Sequence, residues 1–181
     1  MKGVSPETVL NFAYGSNMLL ARIRERVPSA RPLGVAVLRG HRLFWHKAGR
    51  DGSGKCDFVE SNDADTAVFG VLYEIARAEK HFLDAAEGLG AGYDEKRVQL
   101  ERETSLLAAS LYQATDIEPS WRPYSWYKAL VVAGAREHGL PPHYVASLEG
   151  VAAIDDSDRT RHARHVALAQ AGRDRARHAG R

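Results

Sequence analysis

Apolar residues in this chain fall mostly in short runs cut by Gly, Pro and charge, the pattern of strands, with helical spacing in a few places only. Val9 to Tyr14 reads as a first strand. It passes through Gly15-Ser16-Asn17 into Met18 to Val27, where Leu19, Leu20, Ile23 and Val27 share one face and arginines the other, predicting a helix that Pro28 ends. Leu33 to Leu38 and His41 to Trp45 are two strands around Gly40; Lys47 to Lys55 is a polar, glycine-rich loop; Cys56 to Glu60 is a further strand. Thr66 to Ile75 is the clearest strand of all. Arg77 to Glu87 predicts a helix with Phe82, Leu83 and Ala86 as its apolar stripe and Gly88 as its stop. Strands near Lys96 to Arg102 and Leu106 to Gln113 follow, then a Pro/Ser/Trp loop, a helix Ser125 to His138 ended by Gly139 and Pro141, and a short helix Pro142 to Glu149. Only occasional helices separate the strands, which excludes regular βαβ alternation and predicts an α+β domain.

Composition narrows the picture modestly. A chain of 181 residues, 44% hydrophobic and 27% charged, has the size and balance of one domain with a substantial core. A net charge of +2 gives no field strong enough to imply a partner. The single cysteine, Cys56, excludes an internal disulfide framework and a multi-cysteine zinc site. The first residues are polar and broken by Pro6, and no run is long and apolar enough to cross a bilayer, so the expectation is a cytoplasmic protein without a membrane partner. From Asp158 onward the chain is rich in Arg, His and Ala and lacks aromatics. It predicts a frayed helix or a disordered, solvated tail, so that residues 1–157 form the domain and 158–181 an appendage; a nucleic-acid contact through this tail is the less favoured alternative.

Two places could carry chemistry. A strand that turns through Gly15-Ser16-Asn17 into a helix points free backbone N–H groups and the positive dipole end at one spot, suited to a carboxylate or an oxyanion; Gly15 permits close approach, and Ser16 or Asn17 can cap the helix. Most such junctions are only structural. Glu87 sits in the last turn of its helix, where the negative dipole end disfavours its charged form, an environment that suits a general base and acid. Taken alone, an exposed glutamate is the commoner explanation. Gly49 to Cys56 nearly spells a phosphate-binding loop, but Cys56 stands where a Ser or Thr should hold magnesium and a strand follows, so a hairpin loop is the better account. Gly88, Gly90 and Gly92 miss the dinucleotide pattern. The scattered histidines lack metal-ligand spacing, and Ser16 lacks a nucleophile's partners, so no metal or cofactor is expected.

Phe12-Ala13-Tyr14-Gly15-Ser16-Asn17-Met18 resembles the signature of the gamma-glutamylcyclotransferase family. Leu83-Asp84-Ala85-Ala86-Glu87-Gly88 and Trp126-Tyr127-Lys128, with Gly134 to Pro141 downstream, match further blocks in the same order. The likeness runs from about Leu10 to about Asp156, and its dipeptide-type branch is closer than the glutathione-specific one. The resemblance implies a small, mixed, β-barrel-like sheet flanked by helices. It also implies an enzyme that cyclises a gamma-glutamyl group to 5-oxoproline and releases the attached amino acid or amine. It places Glu87 at the catalytic carboxylate and the loop of Asn11, Phe12, Ala13, Tyr14, Gly15, Ser16 and Asn17 at one wall of the substrate site, with Tyr127 at the other and a counterpart for Tyr93. Asn11 and Phe12 depart from the family's usual residues. The implied partner is a small gamma-glutamyl molecule; a homodimer is left open, and a non-catalytic module binding a small anion or a protein is the competing function.

Overall fold

A computed structural model describes residues 7–179, with side chains through residue 174. Seven strands are present among these residues: β1 (Thr8–Ala13), β2 (Arg31–Arg39), β3 (His41–Ala48), β4 (Gly54–Glu60), β5 (Ala67–Ala76), β6 (Tyr93–Arg102) and β7 (Ser105–Ala114). The helices are α1 (Leu20–Arg24), α2 (Lys80–Glu87), α3 (Ser125–Glu137), α4 (Pro142–Glu149) and α5 (Arg159–Ala179). Five strands close a barrel in the order β1-β5-β2-β6-β7, and β3 and β4 form a separate hairpin beside it. The α+β, barrel-like expectation holds.

The barrel grows from β5. Its continuous apolar run fits a strand covered on both faces: Val68, Val71, Leu72, Tyr73 and Ile75 are all fully buried. It pairs antiparallel with β1, Phe12 opposite Leu72 and Ala13 opposite Val71, and with β2, Ala36 opposite Gly70. The β6–β7 hairpin pairs over its whole length. A parallel bridge between Asn11 and Ser110 closes the ring and leaves the end of β1 at the barrel mouth.

Three expectations need correction. The predicted helix Met18 to Val27 is a 3-10 turn, Ser16–Met18, then an extended Leu19, then only five residues of α1. Tertiary contacts explain the break: the Tyr73 hydroxyl donates to the Met18 carbonyl at 2.8 Å, and Glu137 Oε2 accepts from the Leu20 N–H at 2.8 Å. Groups that a continuous helix would pair internally are thus satisfied from β5 and α3. In α2 only Leu83 is buried; Phe82 is 53% exposed and Ala86 faces solvent. Polar ties hold this helix to the β6–β7 hairpin instead: Lys80 pairs with Glu95 at 3.0 Å, and Asp84 accepts from the Tyr112 hydroxyl at 2.6 Å. Finally, residues 158–174 are not a solvated tail. Helix α5 packs on α3, with Ala169 buried and His165 stacked on Trp126 at 4.2 Å between ring centres. Arg161 of α5 forms a two-pronged ion pair with buried Asp156, at 2.6 and 2.7 Å, and Asp156 also accepts from the Trp126 indole at 2.7 Å.

Helix α3 is buried nearly all round because α5, the 3-10 turn and α4 pack against it. Its approach to the turn is close. A Cβ on Gly134 would lie 2.6 Å from the Met18 carbonyl carbon, so only glycine admits this contact.

Candidate active site

Strand β1 leaves the barrel at Ala13 and delivers Tyr14, Gly15 and the 3-10 turn to the barrel mouth. The turn's own hydrogen bonds begin with the Met18 N–H to the Gly15 carbonyl, 3.0 Å, and the Leu19 N–H to the Ser16 carbonyl, 3.2 Å. The N–H groups of Gly15, Ser16 and Asn17 have no acceptor among the described residues, so three consecutive donors stay free. The structure corrects the rest of the sequence argument here. Neither Ser16 nor Asn17 caps the turn, and a five-residue helix behind an extended Leu19 has little dipole to lend. Local donors, not a macrodipole, make this spot attractive to an anion.

Glu87 arrives from the other direction. It is the last residue of α2, which Gly88 ends in the left-handed conformation at φ 74°. Its Oε1 accepts from Asn17 Nδ2 at 2.7 Å and from the Arg26 guanidinium at 2.5 Å. Arg26 also donates to Asn17 Oδ1 at 2.9 Å, which closes a three-residue ring of bonds. Oε2 has no partner among the described residues. The Glu87 side chain is 16% exposed and that of Arg26 19%, so the pair sits in a sheltered recess and not in bulk water. One carboxylate oxygen is clamped, and the other faces no donor among the described residues.

Tyrosines complete the wall. The Tyr14 hydroxyl donates to the Tyr112 carbonyl, and the Tyr93 hydroxyl donates to the Cys56 carbonyl at 2.9 Å. Tyr127 differs: its oxygen accepts from the Cys56 N–H at 3.1 Å, leaving its own proton for the Cys56 thiol or for a ligand. Burial, reinforced by nearby acidic groups, pushes all three phenols well above their usual range, so they stay protonated donors. Burial also pushes the Cys56 thiol up to about 12, which makes it a neutral wall and not a nucleophile. Gly15 is pressed against this wall: a Cβ there would lie 3.1 Å from the Tyr127 hydroxyl and 3.2 Å from the Cys56 Cβ.

All nine residues singled out in the sequence line one cavity. Asn11, Phe12, Ala13, Tyr14, Gly15, Ser16, Asn17, Glu87 and Tyr127 surround it together with Cys56, Tyr93 and Tyr112. They do not all present side chains to it. Asn11 donates from Nδ2 to the Ser110 carbonyl at 3.3 Å and so braces the barrel seam, while Phe12 is core, 1% exposed. This inner cavity opens into a cleft of about 300 Å³ that shares Ser16, Glu87, Tyr93 and Tyr127 and continues between the β3–β4 hairpin, α1 and α5. A larger cavity of about 530 Å³ lies elsewhere, near Thr8, Lys80 and Arg97, and shares none of these residues.

Sequence reasoning missed Arg26, treated as one of several solvated arginines. Its spacing of four from Arg22 was the available signal, since both side chains then share one face and both line the cleft. It also missed the hairpin segment Lys47 to Lys55, correctly read as a hairpin loop but not as part of the cleft wall.

The chain is similar in sequence and in fold to known proteins. The sequence model of the AIG2-like family matches residues 67–148. A human protein named gamma-glutamylcyclotransferase is 33% identical over 165 residues, 87% of this chain and 85% of that protein. Its mouse counterpart of the same name is 33% identical over 155 residues, covering 82% and 81%. A solved structure named gamma-glutamyl cyclotransferase superposes with a TM-score of 0.80 at 26% identity, covering 89% of this chain and 99% of that one.

Proposed function

We propose that this chain, which belongs to the gamma-glutamylcyclotransferase family and is an enzyme of that type, converts a gamma-glutamyl amino acid or amine to 5-oxoproline and the free amine, with Glu87 as base and acid. The observation that carries the role of Glu87 is its two-sided carboxylate. Oε1 is fixed by Asn17 and Arg26, while Oε2 has no partner among the described residues and shares the cavity with three backbone donors that have none either.

The chemistry follows from what ring closure demands. The substrate's α-ammonium gives a proton to Glu87 Oε2, and the freed amine attacks the γ-carbonyl carbon of the same molecule. Nucleophile and electrophile are already joined, so the cavity has only to hold the folded conformer. Negative charge gathers on the carbonyl oxygen as the tetrahedral intermediate forms. The N–H groups of Gly15, Ser16 and Asn17 suit either that oxygen or the substrate's α-carboxylate, and Tyr127 supplies a further neutral donor. Glu87 then returns its proton to the departing nitrogen as the C–N bond breaks. As the ring closes the attacking nitrogen also sheds its second proton, which the released amine takes up. The products are the neutral five-membered lactam and an ammonium, with no net proton exchanged.

The test is direct. Purified protein is incubated with gamma-glutamyl amino acids, glutathione and gamma-glutamyl amines, and 5-oxoproline is measured. Glu87→Gln keeps the shape and removes the proton carrier, and its kcat is expected to fall by at least about a hundredfold. Full turnover by that variant would end the assignment of Glu87.

A further inference from the structure

The outer cleft is strongly cationic, and its cations are unevenly matched. Arg22, Arg26, Lys47, Arg50, Lys55 and Arg161 line it, against the carboxylates of Asp51 and Glu87 only. Four of the six have partners: Arg26 with Glu87, Lys55 with Asp51 at 2.8 Å, Arg161 with Asp156, and Arg22 with Glu25 at 3.3 Å. Lys47 and Arg50 pair with no carboxylate among the described residues.

Both stand close to the reacting carboxylate. The Arg50 guanidinium reaches Gly88, the residue after Glu87, where a Cβ would fall 3.4 Å from it. Lys47 is only 6% exposed, and its ammonium has one hydrogen bond, to the Ala48 carbonyl at 2.6 Å, while lying over the Tyr93 ring at 4.9 Å. A buried ammonium with spare donors and no carboxylate in direct contact among the described residues is costly: burial lowers its pKa, and Asp116, Glu87 and Asp51 offset that only through space. The Nε of Arg22, also buried, has no hydrogen-bond partner among the described residues. These groups wait for an anion.

Resting on the ring-closing reading, the geometry points to a leaving-group subsite for an acidic amino acid: with the glutamyl part in the inner cavity, Lys47 and Arg50 take the two carboxylates of a departing aspartate or glutamate. A departing neutral amino acid offers one carboxylate to two unmatched cations, and a departing amine offers none. The charge count, and not the size of the cleft, sets the preference.

Three substrates separate the cases: gamma-glutamyl-glutamate, gamma-glutamyl-glutamine and gamma-glutamyl-butylamine, assayed by 5-oxoproline release at low salt. The expected order of kcat/KM follows that list, with glutamate favoured over glutamine by about tenfold or more and the gap narrowing as salt rises. Arg50 is exposed, so Arg50→Gln leaves the core intact; it is expected to collapse the glutamate-to-glutamine ratio to below about threefold, mainly through KM. Equal kcat/KM for the two peptides, or a ratio that Arg50→Gln does not change, overturns the acidic subsite alone. No 5-oxoproline from any of the three overturns the ring-closing reading itself.

Discussion

Asn17 offers the cleanest probe of how the site is held, because it is neutral and its substitution changes geometry before it changes charge. Its Nδ2 provides one of two bonds on Glu87 Oε1, at 2.7 Å, and its Oδ1 receives Arg26 at 2.9 Å. A hydrogen bond to a charged group is worth about 1.5–3 kcal/mol in a sheltered setting. Asn17→Ala removes that bond and leaves Arg26 as the sole anchor, so the carboxylate samples more than one rotamer. If most of the loss appears in the transition state, kcat falls by about ten- to a hundredfold while KM moves by less than about threefold. Asn17→Asp is nearly isosteric but turns a carboxylate oxygen toward Glu87 and draws Arg26 away, so it should be worse than alanine. The assay is 5-oxoproline release from one gamma-glutamyl dipeptide under saturating and limiting substrate, with thermal melts to confirm folding. In a Glu87→Gln background, Asn17→Ala should add less than about threefold, since the two residues act as one unit. The reasoning fails if Asn17→Ala matches wild type, if Asn17→Asp exceeds it, or if the losses simply multiply.

Other outcomes follow from the packing and the buried groups. Gly134→Ala sets a Cβ 2.6 Å from the Met18 carbonyl carbon; overpacking of this kind costs about 1–3 kcal/mol, and calorimetry should show Tm lower by roughly 3–10 °C. His165 is held down to about 4, chiefly by burial and then by Arg22 and Arg164, below its ordinary unfolded value. The unfolded chain therefore binds the proton more readily, and the stability this neutral histidine contributes, full above about pH 6.5, is lost as pH falls toward 4. Urea titrations of wild type and His165→Gln should diverge in slope across that window; parallel curves would refute the argument. With its thiol raised to about 12, Cys56 should react with iodoacetamide at about pH 8 at least a hundredfold more slowly in the native protein than in the urea-unfolded chain.

Much of the architecture was legible because it is written in local spacing. The apolar run of β5, the Gly40 turn, the stop at Gly88, the Gly139-Pro141 end of α3 and the Pro142 start of α4 all depend on neighbours within a turn or two of chain. The residues brought together at the site came from matching three blocks of a family, not from periodicity, and all nine meet at one cavity. The ties from α2 to Glu95 and Tyr112 left no such trace, which is why Phe82 and Ala86 were wrongly expected inside.

By itself, then, the sequence determined most of the elements, the α+β class and the family. The tertiary structure alone decided which donor meets which acceptor. Asn17 and Glu87 are 70 positions apart, Leu20 and Glu137 are 117 apart, and nothing in either neighbourhood announces the meeting. Only the closure of the barrel and the press of Gly134 against Met18 set those distances. The same closure split a predicted helix at Leu19, drew an arginine from the solvated face onto the carboxylate, and left Lys47 buried with no direct ion pair among the described residues. Local spacing marks out where helix and strand run; a site arises from where distant segments are forced to stop.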